Sequence, residues 1–231
     1  MAGVIVALDF ADSENALRLV SRLGDSCRFY KVGSELFTAA GPAIVEELRN
    51  DGCHVFLDLK LHDIPNTVTR AIRRIDEMGV RITTVHASGG RAMIEAAVEA
   101  AGVSCGIFAV TVLTSLDDRA LAEVRGQNAG TVSEAVLRLA ALSSSCGVRG
   151  VVCSGHEASA LRNRFGPTLE LLVPGIRLAG HDAGDQSRVM TPAAAVAAGA
   201  DYIVLGRSVT GADDPAAAMR AVLEEISTTA K

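Results

Sequence analysis

The sequence lacks the excess of basic residues that marks most chains that bind nucleic acid. Its 231 residues carry a formal net charge of −5, with 22 lysines and arginines against 27 aspartates and glutamates. A chain with this balance offers no continuous positive surface to a phosphate backbone. We therefore expect no nucleic acid among its partners.

Long apolar runs are also missing. None reaches the roughly 20 residues that a membrane-spanning helix requires, so we expect no membrane partner. The first residues, MAGVIVALDF, place no basic residue before their apolar run, and Asp9 interrupts that run early. This pattern is not typical of a signal peptide.

Cysteines are scattered and unsuited to a disulfide framework. There are five, an odd number, with no C-x-x-C pair among them. Disulfide frameworks and zinc sites use even numbers or closely spaced pairs. The pattern favours buried thiols in a reducing compartment, and we expect a cytoplasmic protein.

Short apolar runs recur along the chain and predict eight strands. They are continuously apolar rather than alternating, as in strands of a parallel sheet that is covered on both faces. Helical patterns lie between them, and eight such units predict an α/β chain folded as a (β/α)8 TIM barrel, with residues 1–231 in a single domain. An open, doubly wound sheet is the alternative, but no G-x-G-x-x-G motif follows the first strand. The predicted strands span residues 3–10, 27–33, 53–60, 80–87, 105–114, 148–154, 169–176 and 202–206.

The helices carry recognisable start and stop signals. Residues 191–192 (Thr-Pro) and 214–215 (Asp-Pro) predict helix starts, with a capping side chain before a proline at the first helical position. Residues 50–52 (Asn-Asp-Gly) predict a helix end. Apolar residues at helical spacing between positions 37 and 48 predict one helix there, and the segment 115–147 predicts a short helix and a longer one.

The segment FLDLKLHDIPNTV, residues 56–68, places two carboxylates near one ammonium at the end of a strand. Asp58 and Lys60 are two residues apart, so both side chains lie on the same face of a strand. Asp63 follows in the loop, before a proline that keeps Ile64 extended and lets a helix begin near residue 66. An ammonium flanked by two carboxylates is expected to stay protonated, which suits a proton donor better than a Schiff-base nucleophile. A salt-bridge cluster that only seals the barrel top is the alternative.

Two segments near the end of the chain suit a phosphate group. Gly206 and Arg207 follow the last predicted strand, and a backbone N–H with a guanidinium can bind a phosphate dianion. The segment PGIRLAGHDAGDQ, residues 174–186, adds Arg177 and then a loop rich in glycine and alanine that ends at Gln186. This composition predicts a lid that closes over the phosphate. An exposed, solvated loop is the alternative.

The histidines show no metal-ligand spacing, so we expect no metal site. No cofactor-binding motif is present either, and we expect no cofactor. His86 ends the fourth predicted strand, and we expect it to hydrogen-bond a neighbour rather than a ligand. The histidines are His54, His62, His86, His156 and His181.

Taken together, these segments closely resemble the orotidine 5′-phosphate decarboxylase family. The resemblance is carried by VALDF, FYKVGSELF, FLDLKLHDIPNTV and PGIR…GDQ…GADYIVLGRSVT, in this order over nearly the whole chain. The Asp-x-Lys-x-x-Asp core also occurs in related phosphate-binding barrels, but the attached D-I-P-N-T makes it specific. The resemblance implies cofactor-independent decarboxylation of orotidine 5′-monophosphate to UMP, a lyase reaction of pyrimidine biosynthesis.

The resemblance also implies roles for individual residues. Lys60 would protonate C6 of the pyrimidine after carbon dioxide leaves, and Asp58 would lie beside the departing carboxylate. Asp63 would reach into the neighbouring subunit's site, in a homodimer with shared active sites. Lys31 would complete the array of alternating charges and bond the ribose. The other implied substrate contacts are Asp9 and Thr67 at the ribose, Leu59, Leu61, His62, Ile64, Pro65 and Asn66 along the same segment, Thr114 or the adjacent Ser115 at the pyrimidine amide, and Arg177, Gln186, Gly206 and Arg207 at the phosphate.

Two rival functions stay open at this point. Metal-dependent relatives decarboxylate 3-keto-L-gulonate 6-phosphate or condense formaldehyde with a pentulose phosphate, and they resemble the chain at Asp-x-Lys-x-x-Asp. They carry an acidic metal ligand in the second strand, where this chain has Lys31, a cation that would repel magnesium. The second rival is a non-catalytic barrel that binds nucleotides, although every candidate catalytic position is filled.

Overall fold

A computed structural model describes residues 2–126, 130–178 and 190–229 of the chain. Within these ranges, eight parallel strands pair in sequence order and the first pairs with the last, which closes a barrel. The predicted (β/α)8 fold is confirmed. The strands are β1 (Gly3–Leu8), β2 (Phe29–Gly33), β3 (His54–Leu61), β4 (Ile82–His86), β5 (Gly106–Val110), β6 (Gly150–Val152), β7 (Glu170–Ile176) and β8 (Tyr202–Leu205).

Helices connect the strands and cover the outside of the barrel. None of those in the described ranges combines the length and the apolarity that crossing a membrane requires. They are α1 (Ser13–Leu23), α2 (Ser34–Ala40), α3 (Ala43–Asn50), α4 (Pro65–Glu77), α5 (Arg91–Ala100), α6 (Asp118–Arg125), α7 (Val132–Ser145), α8 (Gly155–Phe165), α9 (Pro192–Ala197), α10 (Arg207–Thr210) and α11 (Pro215–Thr229), with short 3-10 turns at Gly24–Ser26, Ala87–Gly89 and Gly166–Thr168.

Both faces of the strands are buried, which explains their continuously apolar sequence. Within β1, Ile5 and Ala7 point into the barrel and pack with Phe56, whereas Val6 and Leu8 pack against the surrounding helices. Successive side chains of a strand point to opposite faces, so each strand contributes to both layers of the core. All five cysteines are buried, as predicted.

The predicted helix between positions 37 and 48 is two helices in the structure. The chain breaks at Gly41, whose φ of 64° lies in the left-handed region that favours glycine, and α3 begins after Pro42. The helix-start signals are confirmed: the side chain of Thr191 accepts from Ala194 N at 3.2 Å, and that of Asp214 accepts from Ala217 N at 2.9 Å.

The first and fifth strands end earlier than predicted, and this affects the site. The first ends at Leu8 and the fifth at Val110, so Asp9 and Thr114 lie in the loops beyond them. Helix α4 begins at Pro65, next to the predicted start near residue 66, because a proline at the first helical position needs no hydrogen-bond partner for its missing N–H.

Candidate active site

The C-terminal end of β3 departs from regular pairing. Leu57 pairs with Thr83 and Leu61 pairs with Val85, so three residues of β3 face a single residue of β4. The irregularity includes Lys60, whose backbone φ is 50°. Among the residues that the structure describes, Lys60 is the single non-glycine residue with a positive φ. Such a conformation costs free energy at a lysine and persists only where its surroundings hold it.

Within this bulge, Asp58 and Lys60 form a tight ion pair. Lys60 Nζ lies 2.7 Å from Asp58 Oδ2, as expected for two side chains on one face of the strand. Asp58 is buried, and its other oxygen, Oδ1, accepts a hydrogen bond of 2.9 Å from the hydroxyl of Thr84. Both carboxylate oxygens therefore have a donor, which fixes the plane of the carboxylate beside the ammonium.

A second ion pair lies at the ends of β1 and β2. Lys31 Nζ donates to Asp9 Oδ1 at 2.8 Å. Gly33 makes room for this pair, since a Cβ at that position would lie 2.9 Å from Lys31 Nζ. The predicted alternating array is thus two separate pairs within one chain, because Lys31 bonds Asp9 rather than Asp58.

Two guanidinium groups lie at the same mouth of the barrel, after β7 and β8. Arg177 is buried and donates to the carbonyl of Ile176 at 3.0 Å, while Arg207 is exposed at the start of α10. Burial, and then the like charge of Arg207, lower the pKa of Arg177 from its usual value. Two cations that destabilise each other in this way would both be stabilised by an anion bound between them.

These groups line one cavity of about 420 Å³ at the C-terminal mouth of the barrel. Its floor is apolar and is formed by inward-pointing strand residues, among them Phe56, Leu172 and Val204. A volume of this size, with an apolar floor and a few convergent polar groups, is typical of a small-molecule site. The predicted site residues that line it are Asp9, Lys31, Asp58, Lys60, Thr114, Arg177, Gly206 and Arg207.

Other predicted site residues lie elsewhere. Residues 59–63 and Thr67 border a shallow depression on the outer side of β3 and α4, and Lys60 alone among them also lines the cavity. The depression thus contains Leu59, Leu61, His62, Asp63 and Thr67, while Ile64, Pro65 and Asn66 are exposed beside it. Gln186 and His181 lie outside the described residues.

The expectation that two carboxylates flank Lys60 is wrong within a single chain. Asp63 is exposed and forms no ion pair with Lys60; its Oδ1 accepts instead from Ile64 N at 2.6 Å. The reason is geometric, since the chain turns away from the cavity after β3 and directs Asp63 to the outer surface.

His86 contacts a neighbouring ring and does not line the cavity. Its centroid lies 5.3 Å from that of His62, in place of the predicted hydrogen bond. Burial lowers the pKa of His86, and the nearby His62 and Lys60 lower it further, so the imidazole is neutral at pH 7. In the part of the chain that the structure describes, no three His, Cys, Asp or Glu side chains group as metal ligands.

Sequence reasoning missed Thr84 and Gly33. Both lie on strands next to the charged residues, and each acts through a neighbour in space rather than in sequence. The position of Thr84 does indicate such a role, because a polar residue in an apolar strand that is buried on both faces needs a hydrogen-bond partner.

The mouth of this barrel combines an ammonium–carboxylate pair with two guanidinium groups across an apolar floor, which defines a (β/α)8-barrel enzyme for an anionic small molecule. The model of the orotidine 5′-phosphate decarboxylase / HUMPS family matches residues 3–222. The chain belongs to this family.

Individual relatives agree with the family. The chain is 54% identical over 228 residues to orotidine 5′-phosphate decarboxylase of Chromobacterium violaceum, covering 97% of this chain and 91% of that protein. It is 52% identical over 227 residues to the enzyme of the same name from Halorhodospira halophila, covering 97% and 95%. The crystal structure of orotidine 5′-phosphate decarboxylase from Lactobacillus acidophilus is similar with a TM-score of 0.87 and 37% identity, over 98% of this chain and 99% of that one.

Proposed function

We propose that this protein decarboxylates orotidine 5′-monophosphate to UMP in pyrimidine biosynthesis, without a cofactor. The observation that carries the proposal is the Asp58–Lys60 pair, held at 2.7 Å on the wall of a cavity that also contains two guanidinium groups. The names of the similar proteins support the same activity.

The proposed chemistry is a substitution of carbon dioxide by a proton. The bond between C6 and the carboxylate breaks, and its electron pair stays on C6. The Lys60 ammonium stabilises this developing negative charge and transfers a proton to C6, which gives UMP and leaves a neutral amine that regains its proton from water. Asp58 holds the ammonium in place, and its charge disfavours the substrate carboxylate, which departs.

The remaining cavity residues bind the parts of the substrate that do not react. Arg177, Arg207 and the Gly206 N–H take the phosphate, and Asp9 with Lys31 takes the ribose hydroxyls. We place Gln186 at the phosphate as well, on the strength of the family resemblance. Thr114 lines the cavity and Ser115 does not, so we assign the contact with the pyrimidine amide to Thr114. Binding energy from the remote phosphate offsets the cost of bringing like charges together.

We propose that the protein acts as a homodimer with shared active sites. Asp63 and Thr67 lie at the outer depression, and Ile64 beside them is 67% exposed. Ile64 is apolar and exposed, and the neighbouring Asp63 points away from the cavity of its own chain. Both features suit a subunit interface in which residues 59–67 contact the second subunit. There Asp63 supplies the second carboxylate beside the partner's ammonium.

Mixing two inactive variants tests this sharing. In a heterodimer of Lys60→Ala and Asp63→Asn chains, one site contains both defects and the other contains neither. Random reassortment should therefore restore about a quarter of the wild-type sites. Activity is measured after the variants are unfolded and refolded together, with each variant refolded alone as control. No recovery would show that Asp63 acts in its own chain, and full activity of the Asp63→Asn control alone would show that it does not act.

The decarboxylation itself is tested by the fall in absorbance as orotidine 5′-monophosphate becomes UMP. We expect the same rate with and without a strong chelator, because Lys31 stands where the metal-dependent relatives carry an acidic ligand. Loss of activity in chelator would favour those relatives. Tight binding of UMP without turnover would favour a non-catalytic nucleotide-binding barrel.

We further propose that residues 1–231 form one domain in the cytoplasm. The elements from β1 to α11 belong to a single barrel, and the burial of all five cysteines suits a reducing compartment. Cell fractionation with an antibody to the chain checks the location.

A further inference from the structure

The hydroxyl of Thr84 connects the two residues of the Asp58–Lys60 pair. Thr84 lies in β4 with no exposed surface. Its Oγ1 accepts a hydrogen bond of 2.9 Å from the backbone N–H of Lys60 and donates one of 2.9 Å to Asp58 Oδ1. The directions are fixed, because a backbone N–H only donates and an ionised carboxylate only accepts. A single hydroxyl therefore serves once as acceptor and once as donor.

Thr84 is also the residue that faces the bulge of β3. It lies between Thr83 and Val85, which pair with Leu57 and Leu61, so it is the β4 residue opposite the three bulged ones. In a regular parallel ladder, the N–H of a strand residue bonds a carbonyl of the next strand. Here the N–H of Lys60 bonds a side-chain hydroxyl instead, while the backbone of Lys60 adopts a φ of 50°.

We propose that Thr84 is a positioning residue that holds Asp58 and Lys60 in reactive geometry. Its hydroxyl satisfies the backbone N–H of Lys60 in the left-handed conformation and orients the Asp58 carboxylate, whose other oxygen holds the ammonium. Without the hydroxyl, a part-buried N–H and a buried carboxylate oxygen would each lose a partner, and the bulge would relax towards a regular strand. This inference rests on the proposed function, because the geometry matters for proton transfer to C6.

The test compares Thr84→Val with a matched change next to it. Valine has nearly the shape of threonine but no hydroxyl. Thr83→Val is the control, since Thr83 is equally buried and its hydroxyl donates to the Leu57 carbonyl at 2.9 Å rather than to Asp58. We expect Thr84→Val to lower kcat about 100-fold with KM changed less than about threefold, because small misplacements of reacting groups are costly. Thr83→Val should keep kcat within about threefold of wild type despite a comparable loss of stability in urea.

Thr84→Ser provides the rescue, since serine keeps the hydroxyl and loses only a methyl group. Its kcat should stay within about fivefold of wild type. A hundredfold loss in Thr84→Ser would overturn the proposal, as would equal losses of kcat in Thr84→Val and Thr83→Val. The serine variant keeps the proposal open to test should the valine variant fail to fold.

A crystal structure of Thr84→Val separates this inference from the proposed function. We expect the distance from Lys60 Nζ to Asp58 to exceed the 2.7 Å of the intact pair, and φ of Lys60 to leave the left-handed region. An unchanged pair and an unchanged φ would overturn the inference whatever the activity. If wild-type protein does not convert orotidine 5′-monophosphate, the proposed function fails, and the structure of the variant still decides what Thr84 holds.

Discussion

Lys60→Ala is expected to abolish decarboxylation while the barrel remains folded. The substitution removes both the cation that stabilises charge at C6 and the proton that C6 receives. General acid catalysis and preorganised charge together account for large rate factors, so kcat should fall by more than about 10⁴-fold. Single-turnover assays at high enzyme concentration measure the residual rate, and circular dichroism with a urea titration checks the fold.

The matched control for Lys60→Ala lies at the other end of the barrel. Arg149 forms an ion pair of 2.9 Å with Glu170 and is about as exposed as Lys60, at 32% against 37% of its side chain. Arg149→Ala should lose some stability and keep the wild-type kcat, because the pair lies away from the cavity. A Lys60→Ala protein that retained kcat within tenfold of wild type would remove Lys60 from the role of proton donor.

Arg207→Ala is expected to lower kcat/KM by about 10³-fold or more, because a charge-assisted contact to the phosphate dianion is lost. Arg207 lies close enough to Arg177 to lower the pKa of that buried guanidinium, and its removal relieves the repulsion between the two cations. Steady-state kinetics with the nucleotide measure the expected fall in kcat/KM.

The nucleoside orotidine, which lacks the phosphate, provides the internal control for Arg207→Ala. The variant and the wild type should process it at the same slow rate, since neither has a phosphate to bind. Arg220→Ala, a change of an exposed arginine on α11, should leave kcat/KM unchanged for the nucleotide. Near-normal kinetics of Arg207→Ala with the nucleotide would reject the assignment of Arg207 to the phosphate.

The sequence alone is enough to predict the barrel, because its main determinant is local. Each strand is a short apolar run. Consecutive residues such as Ile5, Val6 and Ala7 are all apolar because they point alternately to two buried faces. The spacing of apolar residues does not predict the break at Gly41, because that spacing continues unchanged from α2 into α3. The glycine and the proline between the two helices do not alter it.

The predicted cavity residues came together for a similar reason. Parallel strands all end at the same mouth, so polar residues that follow several strands must converge, as Asp9, Arg177 and Arg207 do. The outward direction of Asp63 could not be predicted in this way, because it depends on how the chain turns after β3. The role of Thr84 depends on the register of β3 against β4, and this register cannot be predicted from the residue pattern of either strand alone.

Most of the lysines in the chain line the cavity. Lys31 and Lys60 are two of the chain's three lysines, the third being Lys231, whereas the other positive charges are arginines. Isotope labelling confined to lysine would therefore place most of its magnetic-resonance signals at the two ion pairs of the barrel mouth. The folded protein offers a nearly background-free spectroscopic view of its own reacting groups, with no need to introduce a reporter.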